Sequence, residues 1–439
     1  MSRIHRLDPA VAEPAELIGA KAHGLITLLR LGLPVPPGFV VDTRACRAYL
    51  DDGRIPDLDA AVRELEEATG RRFGGSERPL VVSVRSGAAV SMPGMMNTVL
   101  DVGLPAGAAG ADAMGELRAA VRAVFESWHT PRAVTYRELH GISHDLGTAV
   151  IVQAMVFGDR DERSGAGVAF SRDPNTGERE PFGDVLFGRQ GDAVVSGEVA
   201  TLPLGELADR EPGVWDGLRA VLRRTEEHFR NACHVEFTFE SGRLWLLQVR
   251  PGGLTDRAAV RVAVDLVDEG VIDRGTAVRR VSAAQLRNAR TPRIRTGNEV
   301  LARGRGASPG VATGRIAVTA DRAVRMVSDG PVILMRPVTS PLDMHGLAAA
   351  TGIVTSRGGP TSHAAVVARS MNKPAVVGAA ALTVEAGGVC VGERAVPEGT
   401  LVTIDGAGGE VVLGDPGTIT AAADPHLRRL LEWAEHPGC

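Results

Sequence analysis

Apolar and polar positions along this chain change period from segment to segment, and the period of each segment predicts its backbone. From Leu17 to Leu31 apolar residues recur at helical spacing, and Gly32 followed by Pro34, Pro36 and Pro37 ends the helix. GFVVDT then reads as a strand, Leu58 to Thr69 as a helix, and PLVVSVRS as β-structure leading into a glycine- and methionine-rich turn at Ser91 to Met96. Ala113 to Arg137 carries a helical period, and AVIVQAMVFG reads as a buried strand. GAGVAFS, DVLFG and DAVVSGEVA are short β-runs separated by glycines and charges, the pattern of an antiparallel sheet with hairpins. VEFTFESGRLWLLQVR alternates as two strands joined at Ser241-Gly242, closing a first domain near Pro251.

Residues 255–290 are helical and charged, which suits a connecting arm more than a core. From RGRGASPGVATGR onward the β-runs RIAVTA, PVILM, GIVTS, AVVGA, LVTID and EVVLG alternate with short helices in a second domain, and a last helix runs from Pro425 to Glu435. The expected architecture is multidomain, mixed α/β and α+β. Its expected boundaries are 1–252, a helical arm over 253–298, 299–420, and a terminal helix over 421–439. A length of 439 residues, more than one hydrophobic core usually organises, agrees with several domains.

Composition removes some function classes. The balance of 44% apolar and 23% charged residues is that of a globular protein. A net charge of −4 and a pI near 6.3 give no basic excess for a nucleic acid or an anionic membrane. Cys46, Cys233, Cys390 and Cys439 lie far apart without a CxxC pair, so neither a disulfide framework nor a zinc site is expected. With no stretch of 18 uncharged apolar residues, the expected location is the cytoplasm.

The segment Arg357 to Met371 carries the most chemistry. GIVTS predicts a strand, Gly358 and Gly359 permit a tight turn, Thr361 or Ser362 can cap, and HAAVVARSM predicts a small-residue helix. His363 then stands in a first helical turn, where unpaired N–H groups and the helix dipole favour a phosphoryl group on the imidazole, and Arg357 would add a cation. An imidazole nitrogen is nucleophilic near neutral pH without a separate base. From chemistry alone a histidine after a glycine turn is more often a cap or a surface residue. His140 and His144 are four apart, but two glycines make that stretch a loop rather than a metal-binding helix face. No GxxxxGK[ST] occurs, so a P-loop is excluded.

GGPTSHAAVVAR is similar to the phosphohistidine signature of the enzymes that use phosphoenolpyruvate, and VTSPLDMHGLAAATGIVTSRGG before it resembles the same region of the pyruvate phosphate dikinase family. The resemblance implies that His363 is the residue phosphorylated and that Thr361 matches the threonine through which some dikinases are switched off. Pro360 stands where the family usually has methionine. The first 250 residues resemble the ATP-grasp domain of that family in five ordered blocks, which begin LIGAKAHGL, VVSVRSGAA, SWHTPRAVT, SGAGVAFSR and VEFTFESGR.

By this resemblance Lys21 and Arg85 contact the nucleotide's phosphates, Arg85 also taking part in catalysis. Met92, Gly94 and Met95 belong to a loop that closes over them, Gln248 and Arg250 close the phosphate site, and Glu236 is a magnesium ligand. Lysines and arginines are otherwise mostly solvated, and Glu236 on an alternating strand also suits a residue facing water. Two departures stand out. His234 occupies a position where the family has an acidic residue, and the stretch between Leu104 and Trp128 is shorter, implying absence of a helical subdomain.

The implied function is that ATP, with phosphate and Mg2+, phosphorylates His363 to give AMP and pyrophosphate. LRRLLEWAEHPGC resembles the link to the family's barrel domain, which implies a chain with nucleotide-binding and swivelling phosphohistidine domains but without that barrel. Its acceptor would be pyruvate or another molecule on a separate protein, or a small molecule as in the related antibiotic phosphotransferases and phenylphosphate synthase. The alternative is a non-catalytic module that binds nucleotide or docks to a full dikinase.

Overall fold

Gly19 divides the first helical run. The chain forms Ala15–Ile18, turns at Gly19 with φ +82°, and begins Ala20–Arg30. A β-carbon at Gly19 would lie 1.7 Å from the carbonyl oxygen of Gly87, so no side chain fits there. The computed structural model describes residues 3–90, 92, 95–104, 112–196, 199, 201–289, 292–295, 299–420 and 424–435. The chain divides into two units, Met1–Phe157 with Thr238–Val249, and Gly158–Phe237 with Arg250–Cys439.

The first unit holds a sheet in the order Ile4–Arg6, Gly38–Val41, Ala149–Ala154, Val82–Gly87, Thr98–Val102, every neighbour antiparallel. Val82, Val84, Val150 and Val152 bury one face against Leu58, Val62, Leu65, Leu117, Val121 and Phe125 from the helices packed on it. Alternation along Val82–Gly87 leaves Ser83, Arg85 and Gly87 on the other face. The helix expected over Ala113 to Arg137 is two. Ala113–Glu126 ends, a single turn spans Ser127–His129, and Pro131 starts Pro131–His140. Proline lacks the N–H and clashes inside a helix, but suits its first position.

In the second unit Gly165–Phe170 and Phe182–Phe187 pair antiparallel, as the glycine-separated runs predict. DAVVSGEVA departs from its expected strand, because Gly191–Ser196 is helical. Its Val194 is buried with Ala166, Val168 and Leu186, and a three-residue apolar run has no period that separates a strand from a helix.

The helices Asp256–Asp268, Arg274–Arg280 and Ala283–Asn288 form where helical charge was expected, but they make a core instead of a solvated arm. Val260, Val264 and Leu266 bury with Leu427 and Leu430 of the terminal helix Pro425–Glu435. The charges are used in pairs. Fully buried Arg172 meets Glu226 at 2.6 Å, Glu269 at 2.8 Å and Asp265 at 3.8 Å.

The remainder builds an eight-stranded sheet in which Val311–Ala317, Val332–Arg336, Gly352–Thr355 and Ala375–Val377 run parallel in that order. The segment joining Gly352–Thr355 to the helix His363–Ser370 therefore starts from the end of a central strand, where parallel sheets commonly place ligands. Among the described residues no helix is long and apolar enough to cross a membrane.

Candidate functional site

The turn after Gly352–Thr355 is shaped by two glycines with different duties. Gly358 takes φ +93°, a backbone state that suits glycine. Gly359 lies against another strand, where a β-carbon would sit 2.7 Å from both Asp184 Oδ2 and Thr201 Oγ1. Asp184 is fully buried, and a buried carboxylate requires donors. Thr361 supplies two of them, its hydroxyl at 2.5 Å and its backbone N–H at 3.1 Å, both to Oδ2, while Arg305 reaches Oδ1 at 3.1 Å. Thr361 is thus occupied and does not cap. Ser362 stands at the N-cap of His363–Ser370, yet its side chain makes no cap hydrogen bond either, contrary to expectation.

His363 is the first residue of that helix. Its Nδ1 is 3.1 Å from Thr339 Oγ1, and its Nε2 is buried without a hydrogen-bond partner in the protein. Burial pushes the ring's pKa down to about 4, against a smaller opposing pull from Asp343. The imidazole is therefore neutral at physiological pH, and in the tautomer whose Nδ1–H donates to Thr339 the lone pair lies on Nε2. That is the form of a nucleophile that needs no base. Arg357 is exposed.

Arg369 is buried and ties the turn to its surroundings. Its Nη1 donates to the carbonyls of Pro360 at 2.9 Å and Ala307 at 3.0 Å, and its guanidinium lies 5.7 Å from the Phe170 ring centroid. Burial lowers its pKa to about 10, with Asp173 and Asp184 opposing. Neither Thr339 nor Arg369 is marked by any spacing in the sequence, since Thr339 comes from a separate loop and Arg369 reads as an ordinary helical cation.

In the first unit the predicted nucleotide residues gather on one strand face. Ala20 N–H donates to Ala88 O at 3.0 Å, which seats the start of Ala20–Arg30 on the end of Val82–Gly87. Lys21 thereby packs over Gly87, on the face that Arg85 shares. Arg85 Nη1 donates to Leu247 O at 2.9 Å, next to Gln248, whose Oε1 is buried without a partner in the protein. Lys21, Arg85 and Gln248 are thus brought together.

Met92 and Met95 are buried, and Met95 N–H donates to Met92 O at 3.2 Å; Gly94 lies outside the described residues. A residue missed from the sequence fixes the exit of this loop. Arg132 donates to Met95 O at 2.9 Å and to Asn97 Oδ1 at 2.6 Å. His144 is no metal ligand here, because Arg137 Nε donates to its Nδ1 at 3.0 Å.

Glu236 and Arg250 belong to the second unit and form an ion pair at 3.7 Å. His234, two residues before Glu236 on the same strand, stacks on Phe170 with centroids 4.6 Å apart. Burial, with Arg250 adding to it, pushes the His234 pKa down to about 3. Among the described residues no group of three or more His, Cys, Asp or Glu is arranged for a metal ion. The Glu236 carboxylate is a hard oxygen donor of the kind that magnesium takes.

Residues 54–201 match the model of the pyruvate phosphate dikinase AMP/ATP-binding domain, and residues 328–409 match that of the PEP-utilising enzyme mobile domain. The chain is 37% identical to pyruvate, phosphate dikinase of Rhizobium meliloti over 97% of its own length and 59% of the relative's. With the Clostridium symbiosum pyruvate, phosphate dikinase it shares 35% identity over 98% of this chain and 60% of that one. The Zea mays pyruvate, phosphate dikinase 2 gives 36% over 96% and 58%. The chain thus spans about three fifths of the length of these curated relatives. Among solved structures, D-alanine–D-alanine ligase from Bacillus anthracis complexed with ATP aligns over 60% of this chain and 75% of its own, at 13% identity and a TM-score of 0.23, an overlap too slight to build on.

Proposed function

Because the chain belongs to the pyruvate phosphate dikinase family, carrying its nucleotide-binding domain and then its mobile domain, we propose that it is an ATP-dependent phosphotransferase acting on its own His363. The observation that carries this reading is the state of that ring: neutral, with Nδ1 beside a hydroxyl and Nε2 without a partner, at the start of a helix. In the proposed reaction the Nε2 lone pair attacks the β-phosphorus of ATP. The bond from that phosphorus to the AMP oxygen breaks, and its electron pair leaves with AMP. Phosphate then attacks the γ-phosphorus, whose bond to the β–γ bridging oxygen breaks with its electron pair staying on the β-phosphoryl, so pyrophosphate leaves and the β-phosphoryl stays on His363. The Nδ1 proton remains shared with Thr339 throughout.

Residues 1–252 hold the nucleotide in this reading, and 299–420 carry the histidine. Lys21, Arg85 and Arg250 place positive charge where phosphate charge develops, and Gln248 adds an amide. Met92, Gly94 and Met95 cover the phosphates. Glu236 would hold magnesium, which would supply charge neutralisation at the phosphates. A buried ring cannot meet its donor in place, so the contact of Thr361 with Asp184 must open as the histidine moves between sites. A phosphate on Thr361 would set a dianion against buried Asp184, which gives the residue its regulatory role. The acceptor is pyruvate or another small molecule.

The test is AMP formation from ATP, phosphate and Mg2+ by the full chain. Wild type should form about one AMP per chain and then stop until an acceptor is added, while H363A forms none. Equal AMP from both proteins refutes the assignment.

A further inference from the structure

Two polar atoms stand buried and unpartnered on adjacent residues at the start of His363–Ser370, namely Ser362 Oγ and His363 Nε2. We infer that Ser362 holds the transferred group, its hydroxyl donating to an oxygen of the phosphoryl carried on His363 Nε2. This rests on His363 being the phosphoryl acceptor and adds a binding residue to that site.

Ser362 has the extended backbone of an N-cap, φ −63° and ψ 163°, and is 4% exposed. A serine there normally accepts from an N–H of the first turn, a bond worth about 1 kcal/mol. This one does not, so a buried hydroxyl and the first-turn N–H groups are left without each other. A buried hydroxyl with no partner is a standing deficit. A ligand rich in acceptor oxygens removes it for hydroxyl and N–H groups together, and a phosphoryl group on the neighbouring ring is such a ligand.

The other hydroxyls beside the ring have no such capacity. Thr361 donates its hydroxyl proton to Asp184, and Thr339 is engaged at Nδ1, the ring nitrogen that does not carry the group. Arg369, a buried cation on the same helix, gives its Nη1 to two backbone carbonyls. Ser362 is therefore the side chain of this turn with a donor to spare.

The test phosphorylates the full chain with potassium phosphoramidate, which needs no nucleotide, and follows the phosphohistidine signal that H363A lacks by phosphorus NMR. Losing a hydrogen bond to a charged group is expected to shorten the lifetime of that signal about tenfold or more in S362A, and to shift its resonance. S362T, which restores a hydroxyl, should return both toward wild type. Since no cap bond is lost, S362A should melt as wild type does; if it fails to fold, S362G, tolerated at N-caps, takes its place. An unchanged lifetime and shift in S362A, or no recovery in S362T, overturns the inference and leaves the proposed function standing. Label from phosphoramidate but none from ATP does the reverse. A chain whose His363 takes phosphoryl from neither donor overturns both.

Discussion

His363 is neutral because it is buried, and this has a thermodynamic consequence. Its pKa in the fold is about 4, below the ordinary 6.5 of the unfolded chain, so the unfolded state binds the extra proton first as pH falls. The stability tied to this ring is complete above pH 6.5 and is lost progressively between 6.5 and 4. Urea midpoints measured across that window should fall with pH in wild type and fall less in H363A. The same shift predicts that the nucleophile itself stays unprotonated down to about pH 5. At the neighbouring anchor, T361V removes one donor from buried Asp184 and should lower stability by about 1–3 kcal/mol. T361D adds a like charge, and hydrogen exchange over 356–362 should rise well above the T361V level if Thr361 is the switch.

At the scale of elements, each seat of the site depends on a small number of backbone positions. Gly19 lets the helix Ala20–Arg30 start against Gly87 and so sets Lys21 on the face of Arg85. G19A forces both an unfavourable φ and a clash with backbone, and should cost about 3 kcal/mol or more, read as a drop in melting temperature with loss of nucleotide binding. Arg132 ties the helix Pro131–His140 to the loop through Met95 O and Asn97. R132A should leave folding nearly intact and weaken ATP binding about tenfold by titration calorimetry.

These elements were unequally legible. The strand and helix around His363 follow from GIVTS, the two glycines and HAAVVARSM, because local turn chemistry decides them. Gly19 inside a helical period and Pro131 inside another are breaks that the apolar pattern runs straight across. DAVV is helical because Val194 finds a sheet to cover, and the 255–290 helices are core because the terminal helix packs on them; partners distant in sequence decided both. Thr339 and Arg369 were illegible for the same reason.

For the whole molecule, the second unit is laced by the buried charge of Arg172, which reaches acids on two different helices. Substituting R172M strands those carboxylates, and breaking such a set costs about 3–5 kcal/mol. The signature loop rests on Asp184 in that same unit, through two hydrogen bonds from Thr361. The central claim is met most directly by a single turnover with ATP labelled in turn at the β- and γ-phosphate, in the presence of phosphate and Mg2+. The account predicts acid-labile, base-stable β-label on the protein, absent in H363A, with γ-label recovered in pyrophosphate. Label on the protein from the γ-phosphate alone, or β-label that survives in H363A, would contradict it.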